Sequence, residues 1–148
     1  MKKILLLIAV VFGYYTNAQV ATNIRPAENA KQGEFSEWEK VNVSFDDNTS
    51  TTIEYRVVFV KRFVIGCHYN IEVKNTGNEK LHITLQSAYH DKLVKRNFSD
   101  VIKETLKPGK TISGRFIAQG CKKEKDAGKD DAANCFACEF GISIYAKK

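Results

Sequence analysis

Four cysteines and three histidines are the side chains of this sequence best suited to covalent or metal chemistry: Cys67, Cys121, Cys135 and Cys138, with His68, His82 and His90. Cys135-Phe-Ala-Cys138 forms a C-x-x-C. A redox pair of that spacing works when its first thiolate is stabilised at a helix N-terminus, whereas a strand-like run follows here. A thiolate zinc site needs four ligands, usually as two short pairs, and only one short pair is present. Neither thiol redox chemistry nor zinc binding is expected, and no cofactor is implied. The histidines all fall at outward-facing positions by strand parity, which reads as solvation. A metal-dependent enzyme with a surface histidine site is kept as a second alternative. The sequence has no nucleophile elbow, phosphate-cradling glycine loop or H-E-x-x-H helix, and its carboxylates are scattered through turns and outward faces. No catalytic set is visible, and an enzyme is not expected.

The elements that would position these residues begin after residue 18. Met1-Lys2-Lys3 is a short positive start, Ile4 to Phe12 is an unbroken apolar run, and Thr16-Asn17-Ala18 supplies small residues at the first and third places. That order is the n-region, h-region and cleavage site of a secretory signal peptide, and the run is shorter than the roughly 20 residues of a membrane-spanning helix. The expected organisation is a signal peptide at 1–18, a loose leader at 19–37 and one domain at 38–148. The chain is 148 residues long, a length that suits a single domain. Its 43% hydrophobic and 27% charged residues exclude a disordered chain. Losing Lys2 and Lys3 lowers the formal charge of +6 by two. So weak a field gives no reason to propose a nucleic-acid partner. Export to the periplasm or the outside is the expected localisation.

Strict alternation of apolar and polar residues recurs along the domain, the signature of half-buried strands. It runs through Val41, Val43 and Phe45. It recurs through Ile53, Tyr55, Val57 and Phe59, then Cys67, Tyr69, Ile71 and Val73, and again through Leu81, Ile83 and Leu85. Later runs are Ile112, Phe116 and Ala118, then Cys138, Phe140, Ile142, Ile144 and Ala146. Asp46 to Ser50 is a polar turn. Asn75-Thr76-Gly77-Asn78 is a turn set whose Gly and Asn tolerate positive φ, and it predicts a hairpin between its flanking strands. Lys107-Pro108-Gly109-Lys110 predicts a type II turn, with Pro fixing the first central φ and Gly supplying a positive second one. Residues 91–104 are ambiguous between short edge strands and a helical turn. About seven short strands with turns every ten residues or so predict an all-β, single antiparallel immunoglobulin-like sandwich.

Four cysteines in an oxidising compartment read as two disulfides. Strand parity favours Cys67–Cys138 through the core, with Cys121–Cys135 closing the charged connection Lys122–Asn134. The swap Cys67–Cys135 with Cys121–Cys138, and a Cys135–Cys138 bridge, remain alternatives. Closing that connection would contribute about 3 kcal/mol in the chain-entropy model. Its Lys122, Lys123, Lys125 and Lys129 make it the candidate partner-binding loop.

The stretch Tyr69-Asn-Ile-Glu-Val-Lys-Asn-Thr-Gly-Asn, followed about 30 residues later by Leu106-Lys-Pro-Gly-Lys-Thr, resembles the bacterial immunoglobulin-like domains of the CARDB kind. Those domains carry a V-x-N-T-G turn and later an L-x-P-G-[EK]-[ST] turn. The resemblance covers about 80 residues and implies a seven-strand sandwich used in adhesion and spacing at the cell surface, with no catalytic residues to carry over. The function expected is a non-catalytic secreted or periplasmic binding module with an unknown protein or glycan partner. An inhibitor of an exported hydrolase is the first alternative.

Overall fold

A computed structural model of the chain describes residues 18–27, 30–62, 66–91, 96–119 and 140–148. Among the described residues there are eight strands: β1 (Ala18–Ile24), β2 (Glu39–Ser44), β3 (Ser50–Arg62), β4 (Gly66–Asn75), β5 (Leu81–Asp91), β6 (Arg96–Leu106), β7 (Thr111–Gln119) and β8 (Phe140–Lys147). They form two four-stranded sheets, β1-β8-β5-β6 and β2-β3-β4-β7, and every pairing is antiparallel. The alternation read from the sequence is what lets each sheet bury one face and wet the other. Ile53, Tyr55, Val57 and Phe59 of β3, and Tyr69, Ile71 and Val73 of β4, meet Leu81, Ile83 and Leu85 of β5 and Ile142, Ile144 and Ala146 of β8 in one core.

The antiparallel sandwich is the expected one, with eight strands in place of about seven. Its strand order pairs the first strand with the last, whereas an immunoglobulin sandwich pairs its first strand with its second. All of β1 but Ala18 lies within residues read as a loose leader. It carries no strict alternation, and its register against β8 shifts twice, so its periodicity is broken where it pairs. From Arg96 on, the ambiguous stretch is one edge strand, β6, paired with β5 along its whole length, while residues 92–95 lie outside the described residues.

The predicted hairpin around Asn75–Asn78 is corrected. β4 and β5 belong to different sheets, and their connection crosses the sandwich. Asn75 is fully buried and its side chain holds the crossing. Nδ2 donates to the Glu79 carbonyl at 2.7 Å and to the Leu106 carbonyl at 3.1 Å, and Oδ1 accepts from the Gly77 amide at 2.9 Å. Gly77 does not adopt positive φ. It is glycine for space, since a Cβ there would lie 1.8 Å from Thr51 Oγ1. The second short crossing, from β6 to β7, is the predicted type II turn. Gly109 has φ +70°, and the Lys110 amide donates to the Lys107 carbonyl at 3.1 Å. The two crossings bond to each other: the Asn75 amide donates to the Lys110 carbonyl and the Gly109 amide to the Asn75 carbonyl.

Candidate functional site

The register places an outward cluster on the β2-β3-β4-β7 sheet. Arg56 of β3 sits opposite Glu72 of β4, and its Nε and Nη2 each lie 2.7 Å from Glu72 Oε2. The segment before β2 continues the sheet edge along β3. Ser36 and Val57 exchange bonds at 2.8 and 3.0 Å, and Phe35 bridges to Val58. This brings two aromatic rings against the same guanidinium. Arg56 Cζ lies 4.1 Å from the Phe35 ring centroid and 4.5 Å from that of Trp38, inside the reach of a cation–π contact. Phe35 and Trp38 remain 39% and 36% exposed.

Magnitudes decide what this cluster is for. The Arg56 and Glu72 side chains are 30% and 22% exposed, and a pair in such a setting contributes about 0–1 kcal/mol to stability. Each partly exposed cation–π contact adds roughly 0.5–1 kcal/mol. The two rings keep more than a third of their surface in water, so the cluster presents apolar area already fixed in place. Across the same face lie Asn70 and Arg115, opposite each other in β4 and β7. The Asn70 Oδ1 is buried without a hydrogen-bond partner among the described residues. Arg115 and Ile117 are exposed.

The sequence-predicted residues fall elsewhere. Cys67 lies in β4 in the core, 1% exposed, and is disulfide-bonded. Cys121, Cys135 and Cys138 lie outside the described residues, as do Lys122, Lys123, Lys125 and Lys129 and the segment 1–17. The reading of the histidines as solvated is corrected for His68, which is only 5% exposed. Val58, also outward by register, is 3% exposed, so outward parity does not amount to contact with water in that region. His82 is half-buried on β5, in the other sheet. His68 and His82 therefore occupy opposite outer faces of the sandwich. His90 lies eight residues along β5 from His82, about 26 Å at the usual strand rise, so the three do not converge. Among the described residues no cluster of histidine, cysteine and carboxylate side chains suits a metal ion.

The outward parity of Arg56 and Glu72 is readable from alternation. Their pairing, and the approach of Phe35 and Trp38, require the strand register and the course of residues 30–38. The two turn motifs behind the CARDB resemblance do pack together, as Asn75 and Gly109 show, but no protein-family model matches the chain and no curated relative matches it. Among solved structures the chain is similar to the N-terminal endo-1,4-β-D-xylanase 10B of Clostridium thermocellum, its CBM22-1 and GH10 modules complexed with xylohexaose. The identity is 10% and the TM-score 0.36, over 88% of this chain and 26% of that one. The chain thus spans about a quarter of that protein's length. No helix among the described residues is long and apolar enough to cross a membrane.

Proposed function

We propose that the protein is a non-catalytic binding module, exported to the periplasm or beyond, that uses the outer face of the β2-β3-β4-β7 sheet to hold a protein or glycan partner. The observation that carries this reading is the exposed Phe35 and Trp38 clasping Arg56, itself held by Glu72. Trp and Arg are the side chains that dominate binding energy at interfaces, and aromatic residues are enriched there. A guanidinium already fixed between two rings loses little side-chain freedom when a partner arrives. Export is supported by the charged start, apolar run and small-residue site of the first 18 residues, and by the disulfide at Cys67.

The test is a partner screen followed by substitution. Immobilised protein is offered a glycan panel and the exported proteins of the source cell, and binders are ranked by affinity. Trp38→Ala and Arg56→Ala should each weaken the specific partner by about tenfold or more, equivalent to about 1.4 kcal/mol, with the fold retained by circular dichroism. A partner that binds both variants as tightly as the parent would place the contact elsewhere.

A further inference from the structure

The register lays out the face that carries the Arg56 cluster in rows. Phe35, Val58, Asn70 and Arg115 form one row. Arg56, Glu72 and Ser113 form the next, and the β2 register, continued back one residue from Glu39, adds Trp38 opposite Arg56. Lys40, Glu54, Lys74 and Thr111 form the third. Ser36 bonds to Val57 while Glu39 pairs with Tyr55, so the edge chain holds one extra residue between Ser36 and Glu39, as a bulge does. That extra residue is what turns both Phe35 and Trp38 to the outer side.

Charge is divided unevenly over these rows. Arg56 is met by Glu72 at 2.7 Å and Lys74 by Glu54 at 3.9 Å. Lys40 stands on the β2 side, where the edge chain also carries Glu34, Glu37 and Glu39. Arg115 stands on the β7 side and is exposed, with no carboxylate at ion-pair distance among the described residues. Asn70 lies across from it, and Ser113 and Ile117 are its outward neighbours on β7. The acid next to it by register is Glu72, one row away, whose carboxylate is held by Arg56. One side of the face thus presents ring surface beside acids, and the other a guanidinium open to a ligand. Phe35 and Arg115 share a row at its two ends, three strand spacings or roughly 14 Å apart.

A ligand on this face meets side chains, because β3 and β4 spend their backbone groups on ladders to both neighbours. An extended peptide laid there would lack the main-chain partners that a sheet edge supplies. A glycan needs none: its sugar rings lie flat on aromatic rings, which offer large apolar faces, and its hydroxyls bond to side chains and water. A guanidinium fork takes a carboxylate, or two oxygens of a sulfate, through two parallel hydrogen bonds.

We propose that the partner of this face is an acidic glycan, whose uncharged sugar rings lie on Phe35 and Trp38 and whose carboxylate or sulfate is received by Arg115. This rests on the reading of the face as a binding surface. The acids of the β2 side set the direction, since they repel the anionic unit from the rings toward β7. The experiment is calorimetric titration of the full chain at low salt with oligosaccharides of alginate, polygalacturonate, hyaluronan and heparin, each beside its carboxyl-reduced and desulfated neutral form, and with a polyglutamate peptide. At least one acidic oligosaccharide should bind saturably, about fivefold or more tightly than its neutral form, the upper range for an ion pair in water. The preference should narrow as salt is raised. Arg115→Gln, folded by circular dichroism, should abolish the preference, and Arg115→Lys should restore only part of it, because an ammonium lacks the fork. Trp38→Ala should weaken the acidic and neutral forms alike. Preference for the uronates identifies a carboxylate, and preference for heparin alone a sulfate. Equal affinity for acidic and neutral forms, a preference kept in Arg115→Gln, tighter binding of polyglutamate than of any glycan, or no saturable binding of an acidic oligosaccharide overturns the proposal. Loss of the charge preference with Trp38→Ala still weakening every ligand leaves the face as a binding surface, whereas affinities unchanged in Trp38→Ala overturn both.

Discussion

At the scale of single residues, Asn75 does the most structural work for its size. Its side chain satisfies two carbonyls and one amide inside the core, where an unmet polar group costs about 1–3 kcal/mol. Asn75→Ala would leave all three without that partner, and urea unfolding should report a loss of about 2–4 kcal/mol. Asn75→Asp would be no rescue, since a carboxylate cannot donate to the Glu79 and Leu106 carbonyls. Residue type and neighbours mark Asn75 as a turn residue in the sequence. Its burial is not legible there, because that depends on which carbonyls the crossing chain brings within reach. Cys67 is the converse case: alternation alone places it inward, and it is buried. His68 obeys the same parity rule yet is buried on the outer side, because parity fixes a face and says nothing about what covers it.

At the scale of elements, legibility follows periodicity. β3, β4, β5 and β8 can be read with their inward residues because alternation is strict there. β1 and β6 cannot: β1 has a shifting register, and β6 is an edge strand whose inward positions include the exposed Glu104. An edge strand can carry a charge on its inner side because the sandwich is open there, and that charge erases the pattern. Gly114 of β7 shows another limit. A Cβ at this position would lie 2.7 Å from Leu85 Cδ1 and 3.3 Å from Ile102 Cδ1 and Ile71 Cγ2, so the missing side chain sets how closely β7 packs over β5 and β6. Overpacking of this kind costs about 1–3 kcal/mol. Gly114→Ala should lower stability within that range. Leu85→Val in the Gly114→Ala background should recover some of the loss in a double-mutant cycle.

At the scale of the whole molecule, the sandwich is closed at one end by a small polar clasp. Lys148 pairs with Asp47 at 3.2 Å and with Glu79 at 2.9 Å, so it joins the β2–β3 turn to the β4–β5 crossing. Asp47 also accepts from the Thr49 hydroxyl and from its amide. The Thr49 hydroxyl is the main cause, followed by the Thr49 amide and Lys148, that lowers the Asp47 carboxyl from 3.8 to about 2. A lowered carboxyl supports the folded state above pH 3.8 and loses that support as pH falls toward 2. Carboxyl NMR titration should therefore show Asp47 ionised well below pH 3.8. Thr49→Ala should return its midpoint toward 3.8, and further than Lys148→Ala does. Because the carboxyl is exposed, the effect belongs to the order of this end of the molecule rather than to global stability.

The pairing of the first strand with the last has a mechanical consequence. Gln19 of β1 lies beside Tyr145 of β8, so tethers pulling outward from these two positions load the ladder at its near end. Antiparallel strands loaded in that way unzip, breaking their hydrogen bonds in succession instead of resisting as a set. A protein held at both ends by larger neighbours would yield there first, peeling β1 away while the β2-β3-β4-β7 sheet, with its Arg56 cluster, is still assembled.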